Sequence, residues 1–160
     1  MSKLILTVGI PGSGKSTWSQ QYIRENPNTV RVNSDRLREM LFAYNPAKIK
    51  EYWKNSNLQD TESIVRKVVR NITTNLLNKN INVIVDAMNL DEAVITKFIN
   101  IAKLNQSSVV IKEFNTPLDT CVRRDQQRER YVGKIYITKK QEQFTKLKNT
   151  EFYIALPKLI

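Results

Sequence analysis

Histidine is absent from the 160 residues. That excludes imidazole as a general base, as a metal ligand and as a charge switch near neutral pH. Cysteine occurs once, as Cys121. No disulfide can form within the chain, and a reducing, cytoplasmic location is the default expectation. Acid is scarce beside base: 15 Asp and Glu stand against 26 Lys and Arg, a formal charge of +11. An excess of that size favours polyanionic partners, nucleic acid first among them. A basic surface kept for solubility is the alternative. No apolar run approaches a membrane span, and the N-terminus enters a strand directly, without a signal-peptide layout. The length suits a single domain over residues 1–160 with one sizeable core.

What is present is organised around Gly9-Ile10-Pro11-Gly12-Ser13-Gly14-Lys15-Ser16, which fits G-x-x-x-x-G-K-[ST]. Glycines let the backbone curl so that several N–H groups point into one hollow, which suits a phosphate. Lys15 can reach the terminal phosphates of a nucleotide, and the Ser16 hydroxyl can hold Mg²⁺. The flanks agree. Lys3 to Val8 is an apolar run suited to a buried parallel strand, and Thr17 to Glu25 reads as a helix with its N-terminal dipole toward the phosphates. A plain glycine-rich turn would not need that strand and helix.

Further along, Thr29–Asn33 reads as a second strand, and Ser34 is expected to cap a helix through Leu41. Tyr44-Asn45-Pro46 breaks that helix, and Lys48–Asn57 is either helix or loop. Ile64, Val68, Ile72 and Leu76 recur every fourth residue and predict a helix with that stripe on a core, flanked by Val65, Val69 and Leu77. Ile81–Val85 is a third strand delivering Asp86. Asp91 opens a helix with Val94, Phe98, Ile101 and Ala102 on one side. Val109–Phe114 is a fourth strand. Thr116-Pro117 predicts an N-cap followed by a helix toward Arg128. Thr138-Lys139-Lys140-Gln141 predicts a capping box that starts the last helix. Strands alternating with helices give an α/β domain with a parallel sheet of about four strands. Ligands of such sheets sit beyond the carboxyl ends of the strands, so the loop after strand one, Asp35, Asp86 and the arginines after strand four converge.

Asp35 and Arg38 are three apart on one helix and share a face. The carboxylate can accept the proton of an attacking hydroxyl, and the guanidinium can bind an anionic group of the acceptor. An ordinary surface ion pair is the competing reading. Asp86 has the position of an acid that supports Mg²⁺. Asn89 either contacts substrate or braces the loop. Arg123, Arg124, Arg128 and Arg130 crowd around Asp125 and Glu129, which could pair with them on a solvated helix. Arginines on a mobile segment can neutralise charge on a transferring phosphoryl group. Tyr52, Trp53, Tyr131 and Tyr136 could stack bases, though packing is the more frequent role of such residues.

Three blocks together carry a resemblance: Leu4 to Trp18, Val32-Asn33-Ser34-Asp35-Arg36-Leu37-Arg38, and Val83-Ile84-Val85-Asp86-Ala87-Met88-Asn89-Leu90. With the arginine-rich Arg124–Arg128 they resemble the P-loop 5′-polynucleotide kinases, in particular the T-even phage branch. The resemblance implies a three-layer P-loop kinase fold with an arginine-bearing lid. It implies ATP-dependent phosphorylation of 5′-hydroxyl ends of DNA or RNA, with Mg²⁺, in nucleic-acid end repair. By position, Gly12, Ser13, Gly14, Lys15, Ser16, Thr17 and Arg124 would bind the nucleotide, and Ser16 and Asp86 the metal. Asp35 matches the general base and Arg38 the residue holding an acceptor 3′-phosphate. Arg128 matches the lid arginine at the transferring phosphate. Asn89 is a substrate-binding candidate from its place after Asp86, not from the resemblance. Met88 stands where a small polar residue is expected. The phage branch continues into a 3′-phosphatase domain, so a complete chain of this length is expected to lack that activity. Small-molecule kinases of nucleosides or nucleotides share the resemblance more loosely and are the alternative. The sequence leaves open a homo-oligomer.

Overall fold

The computed structural model describes residues 1–42, 58–129 and 131–159. The expectations for Tyr44-Asn45-Pro46, Lys48–Asn57 with Tyr52 and Trp53, and Arg130 lie outside them. Four strands form one parallel sheet: β1 Lys3–Val8, β2 Thr29–Asn33, β3 Asn82–Asp86 and β4 Ser108–Glu113, in the order β2-β3-β1-β4. Leu4 pairs with Val83 and with Val109, and Asn33 lies beside Asp86. Leu4, Ile5 and Leu6 are all at 0% exposure. Successive strand residues point to opposite faces, so β1 is covered above and below and the fold has three layers.

The helices are α1 Lys15–Glu25, α2 Ser34–Phe42, α3 Leu58–Asn78, α4 Glu92–Leu104, α5 Leu118–Gln126, α6 Lys134–Lys148 and the short α7 Glu151–Ile154. No helix among the described residues is long and apolar enough to cross a membrane.

Several local expectations shift. The cap of α2 is Asn33, one residue before Ser34: its Oδ1 accepts the Arg36 N–H at 3.0 Å. On α3 the buried seam is Val65, Val69, Thr73 and Leu77, while Ile64 is 48% exposed. Thr73 fits this seam because its hydroxyl donates to the Val69 carbonyl at 2.8 Å. Thr138 does not start the last long helix. It lies inside α6, which opens four residues earlier behind Gly133. Pro117, not Thr116, is the cap of α5, and Thr116 donates to the Ser13 carbonyl at 2.9 Å instead. The α5 helix stops at Gln126, short of Arg128. Asp91 caps α4 as expected, accepting from Ala93 and Val94.

Candidate active site

The turn between β1 and α1 takes its shape from two glycines with positive φ, Gly12 at 81° and Gly14 at 98°. Gly12 carries a second constraint. A Cβ there would lie 2.5 Å from the Cys121 carbonyl oxygen, so α5 can approach the loop only because the side chain is missing. Two further ties come from the β4 side: Thr116 on the Ser13 carbonyl, and Arg124 Nη1 on the Gly12 carbonyl at 3.3 Å. On the β3 side the Gly9 N–H donates to Met88 O at 3.2 Å. The loop is held from both neighbouring strands.

Inside it the Lys15 ammonium donates to Ile10 O at 2.6 Å and to Ser13 Oγ at 3.2 Å. Lys15 is only 8% exposed. Burial, the largest influence, lowers its pKa to about 8; Asp86, Cys121 and Asp35 oppose that, and Arg128 adds to it. Asp35, Asp86 and Arg128 lie within electrostatic reach of the ammonium.

One cleft of about 1200 Å³ is lined by Gly12, Ser13, Gly14, Lys15, Ser16, Thr17, Asp35, Arg38, Asp86, Arg124 and Arg128. These include every candidate above for the nucleotide, the metal, the base and the acceptor except Asn89, and Arg123 does not line the cleft either. Asn89 is buried, with φ at 46°, and does not line the cleft. Its amide donates to Thr7 O at 2.8 Å and Val85 O at 3.2 Å. That corrects the substrate-side expectation: Asn89 braces the turn after β3, a task its tolerance of left-handed backbone suits. Met88 takes the cleft-facing position beside it.

Asp35 and Arg38 meet as expected, with Nη1 on Oδ1 at 2.7 Å. A third residue joins them. Glu62 on α3 accepts from Arg38 Nε at 2.5 Å and Nη2 at 2.6 Å. Sequence reasoning missed Glu62, because 24 residues separate it from Arg38 and no motif connects them. It also missed Arg31. Asp86 Oδ2 accepts from Arg31 Nε at 2.8 Å and Nη2 at 2.5 Å, and from Asn33 Nδ2 at 3.1 Å. The alternation along β2 was the available signal, since a charged residue between Val30 and Val32 on a strand beside β3 needs a partner.

The α5 side also differs from a solvated helix. Arg124 and Arg128 line the cleft, but Asp125 is fully buried rather than paired in water. Tyr131 and Tyr136 are exposed on the same wall.

The donor set fits a hard cation. Ser16 offers a hydroxyl and Asp86 a carboxylate, both on the cleft. No group of three or more acidic, Cys or His ligands occurs among the described residues. Mg²⁺ is characteristically held that way, by one or two protein oxygens with phosphate and water oxygens completing the shell.

The profile of the AAA domain family (AAA_33) matches residues 4–150. The chain belongs to that family. A chain in the structure of the Pnkp1/Rnl/Hen1 RNA repair complex is 29% identical over 94% of this chain, with a TM-score of 0.75, and this chain spans 47% of it. The PezAT chromosomal toxin-antitoxin system of Streptococcus pneumoniae gives 18% identity over 98% of this chain and 66% of that one, at 0.75. APS kinase CysC of Mycobacterium tuberculosis, solved with AMPPNP and APS, gives 19% over 78% and 68%, at 0.56. The last two show the fold alone. The AAA_33 chain described here therefore has the parallel, helix-flanked sheet of P-loop kinases.

Proposed function

We propose that this AAA_33 protein is an ATP-dependent polynucleotide 5′-hydroxyl kinase, transferring the γ-phosphate of ATP to 5′-OH ends of DNA or RNA. The observation that carries the reading is the cleft itself: the phosphate loop and the Asp35–Arg38 pair line the same space, with arginines on the lid side. A formal charge of +11 suits a polyanionic acceptor. The likeness to a chain of an RNA repair complex supports the same acceptor class.

Each residue then has a task. Asp35 accepts the proton of the 5′-hydroxyl as its oxygen bonds to the γ-phosphorus and the bond to the bridging oxygen breaks, releasing ADP. Lys15 and Arg128 balance the charge on the transferring oxygens, and Arg124 binds on the nucleotide side. Arg38 sets Asp35 and receives the neighbouring acceptor phosphate. Ser16 and Asp86 would hold Mg²⁺, which when bound draws charge from the β- and γ-phosphate oxygens.

A second reading, a small-molecule kinase, is favoured by one observation: Glu62 and Asp35 already engage all three nitrogens of Arg38. Transfer from labelled ATP to 5′-OH oligonucleotides and to free nucleosides separates the two. The proposal expects oligonucleotide turnover that falls steeply with salt and is abolished in Asp35→Ala. Equal turnover on a free nucleoside, or a near-wild-type rate in Asp35→Ala, overturns it.

A further inference from the structure

We infer that Asp125 is a positioning residue that fixes the lid arginine Arg128 and the turn at residues 131–133 before any reaction begins. The inference rests on the proposed role of Arg128 at the transferring phosphate.

Asp125 sits in the last turn of α5 at 0% exposure, between the exposed Arg124 and Gln126. A buried carboxylate is tolerated only when its oxygens are satisfied. Here both are. Oδ1 accepts from Arg128 Nη2 at 3.1 Å and from the Val132 N–H at 3.3 Å. Oδ2 accepts from the Val132 N–H at 3.1 Å and the Gly133 N–H at 2.9 Å. Gly133 has φ 96° and ψ 151°, a conformation open in practice only to glycine, and it caps α6. One side chain thus joins the end of α5, the arginine and the start of α6.

The other end of α5 is anchored on the phosphate loop. Cys121, one turn before Asp125, lies against Gly12, and Arg124 donates to the Gly12 carbonyl. The distance from phosphate loop to lid arginine is therefore spanned by one helix and one carboxylate. Arg128 keeps 43% of its side chain exposed and lines the cleft. Asp125 holds its Nη2 edge and leaves the remainder for substrate. A donor fixed in advance stabilises transition-state charge without reorganising when the charge develops.

The test uses D125N, R128A and the double variant in transfer from ATP to a 5′-OH oligonucleotide. D125N retains nearly the same shape and an acceptor oxygen, but loses the charge that holds Arg128. It is expected to lower kcat by about tenfold or more, with ATP affinity, read by tryptophan fluorescence, within about twofold of wild type. The double variant should be no slower than R128A alone. A D125N kcat within twofold of wild type, or losses that multiply in the double variant, overturns the inference. R128A at the wild-type rate overturns instead the role assigned to Arg128. If D125N does not fold, hydrogen exchange in the unmodified protein decides without substrate. Slow exchange of the Val132 and Gly133 amides supports the latch, and exchange at open-loop rates overturns it.

Discussion

Glu62 grips Arg38 with both carboxylate oxygens, at 2.5 and 2.6 Å, and Arg38 passes its third nitrogen to Asp35 at 2.7 Å. The acid assigned to the acceptor hydroxyl is thus oriented from a second helix. Side-on bidentate contact fixes the guanidinium plane, and the plane fixes where Asp35 can accept.

Glu62→Gln breaks one side of this pair, whose side chains are each 12% exposed. Removing one partner of a buried pair costs about 3 kcal/mol, which is a fall of about 6–12 °C in Tm for a domain of this size. Thermal melting measures it. The KM for an oligonucleotide acceptor should rise in the same variant, because Arg38 and Asp35 lose their common orientation. A Tm within 2 °C of wild type would show that Glu62 carries little of the load.

Lys15→Met should abolish transfer and yet stabilise the fold at neutral pH. Burial lowers the Lys15 pKa from 10.5 to about 8 in the folded protein, so the unfolded chain binds the extra proton between those values. Stability of the unmodified protein therefore rises with pH through that window. Below pH 8 the buried charge costs up to about 3 kcal/mol, and that cost fades toward pH 10.5. The advantage of Lys15→Met should shrink over the same interval in denaturant melts at stepped pH. An advantage that grows with pH contradicts this sign.

Arg31→Ala removes both guanidinium contacts to Asp86, whose side chain is 1% exposed, and leaves Asn33 as its hydrogen-bond donor among the described residues. A loss of about 3 kcal/mol in urea unfolding is expected. Combining it with Asp86→Asn should recover most of that loss, since the uncompensated charge disappears. Two losses that simply add would show that the pair is not coupled.

The sheet and the phosphate loop were legible because their signals are local. Val83 to Asp86 and Gly9 to Ser16 each declare themselves within eight residues, and each strand appears within one or two residues of its predicted place. What failed was also physical. Asn33 and Ser34 are both good caps, and the choice fell to the one already tied to Asp86. The α3 stripe reads one residue off centre because Thr73 counts as polar in sequence but is buried with its hydroxyl satisfied. Thr138 offers capping chemistry that α6 does not use, since Gly133 turns the chain earlier. Glu62 meets Arg38 from another helix, 24 residues away, and such a separation leaves no spacing to read. Arg31 was marked only by its place between Val30 and Val32 on β2, and Asp125 was legible as a partner of nearby arginines but not as a buried carboxylate that also holds the Val132 and Gly133 N–H groups.

Gly12 is usually credited to its ligand, but here the backbone of Cys121 claims the space where a methyl group would go. A library randomised at that codon should return glycine even when survivors are chosen for folding alone. Intolerance at position 12 is therefore no proof of nucleotide contact, and mutational scans of this loop need a stability readout beside the catalytic one.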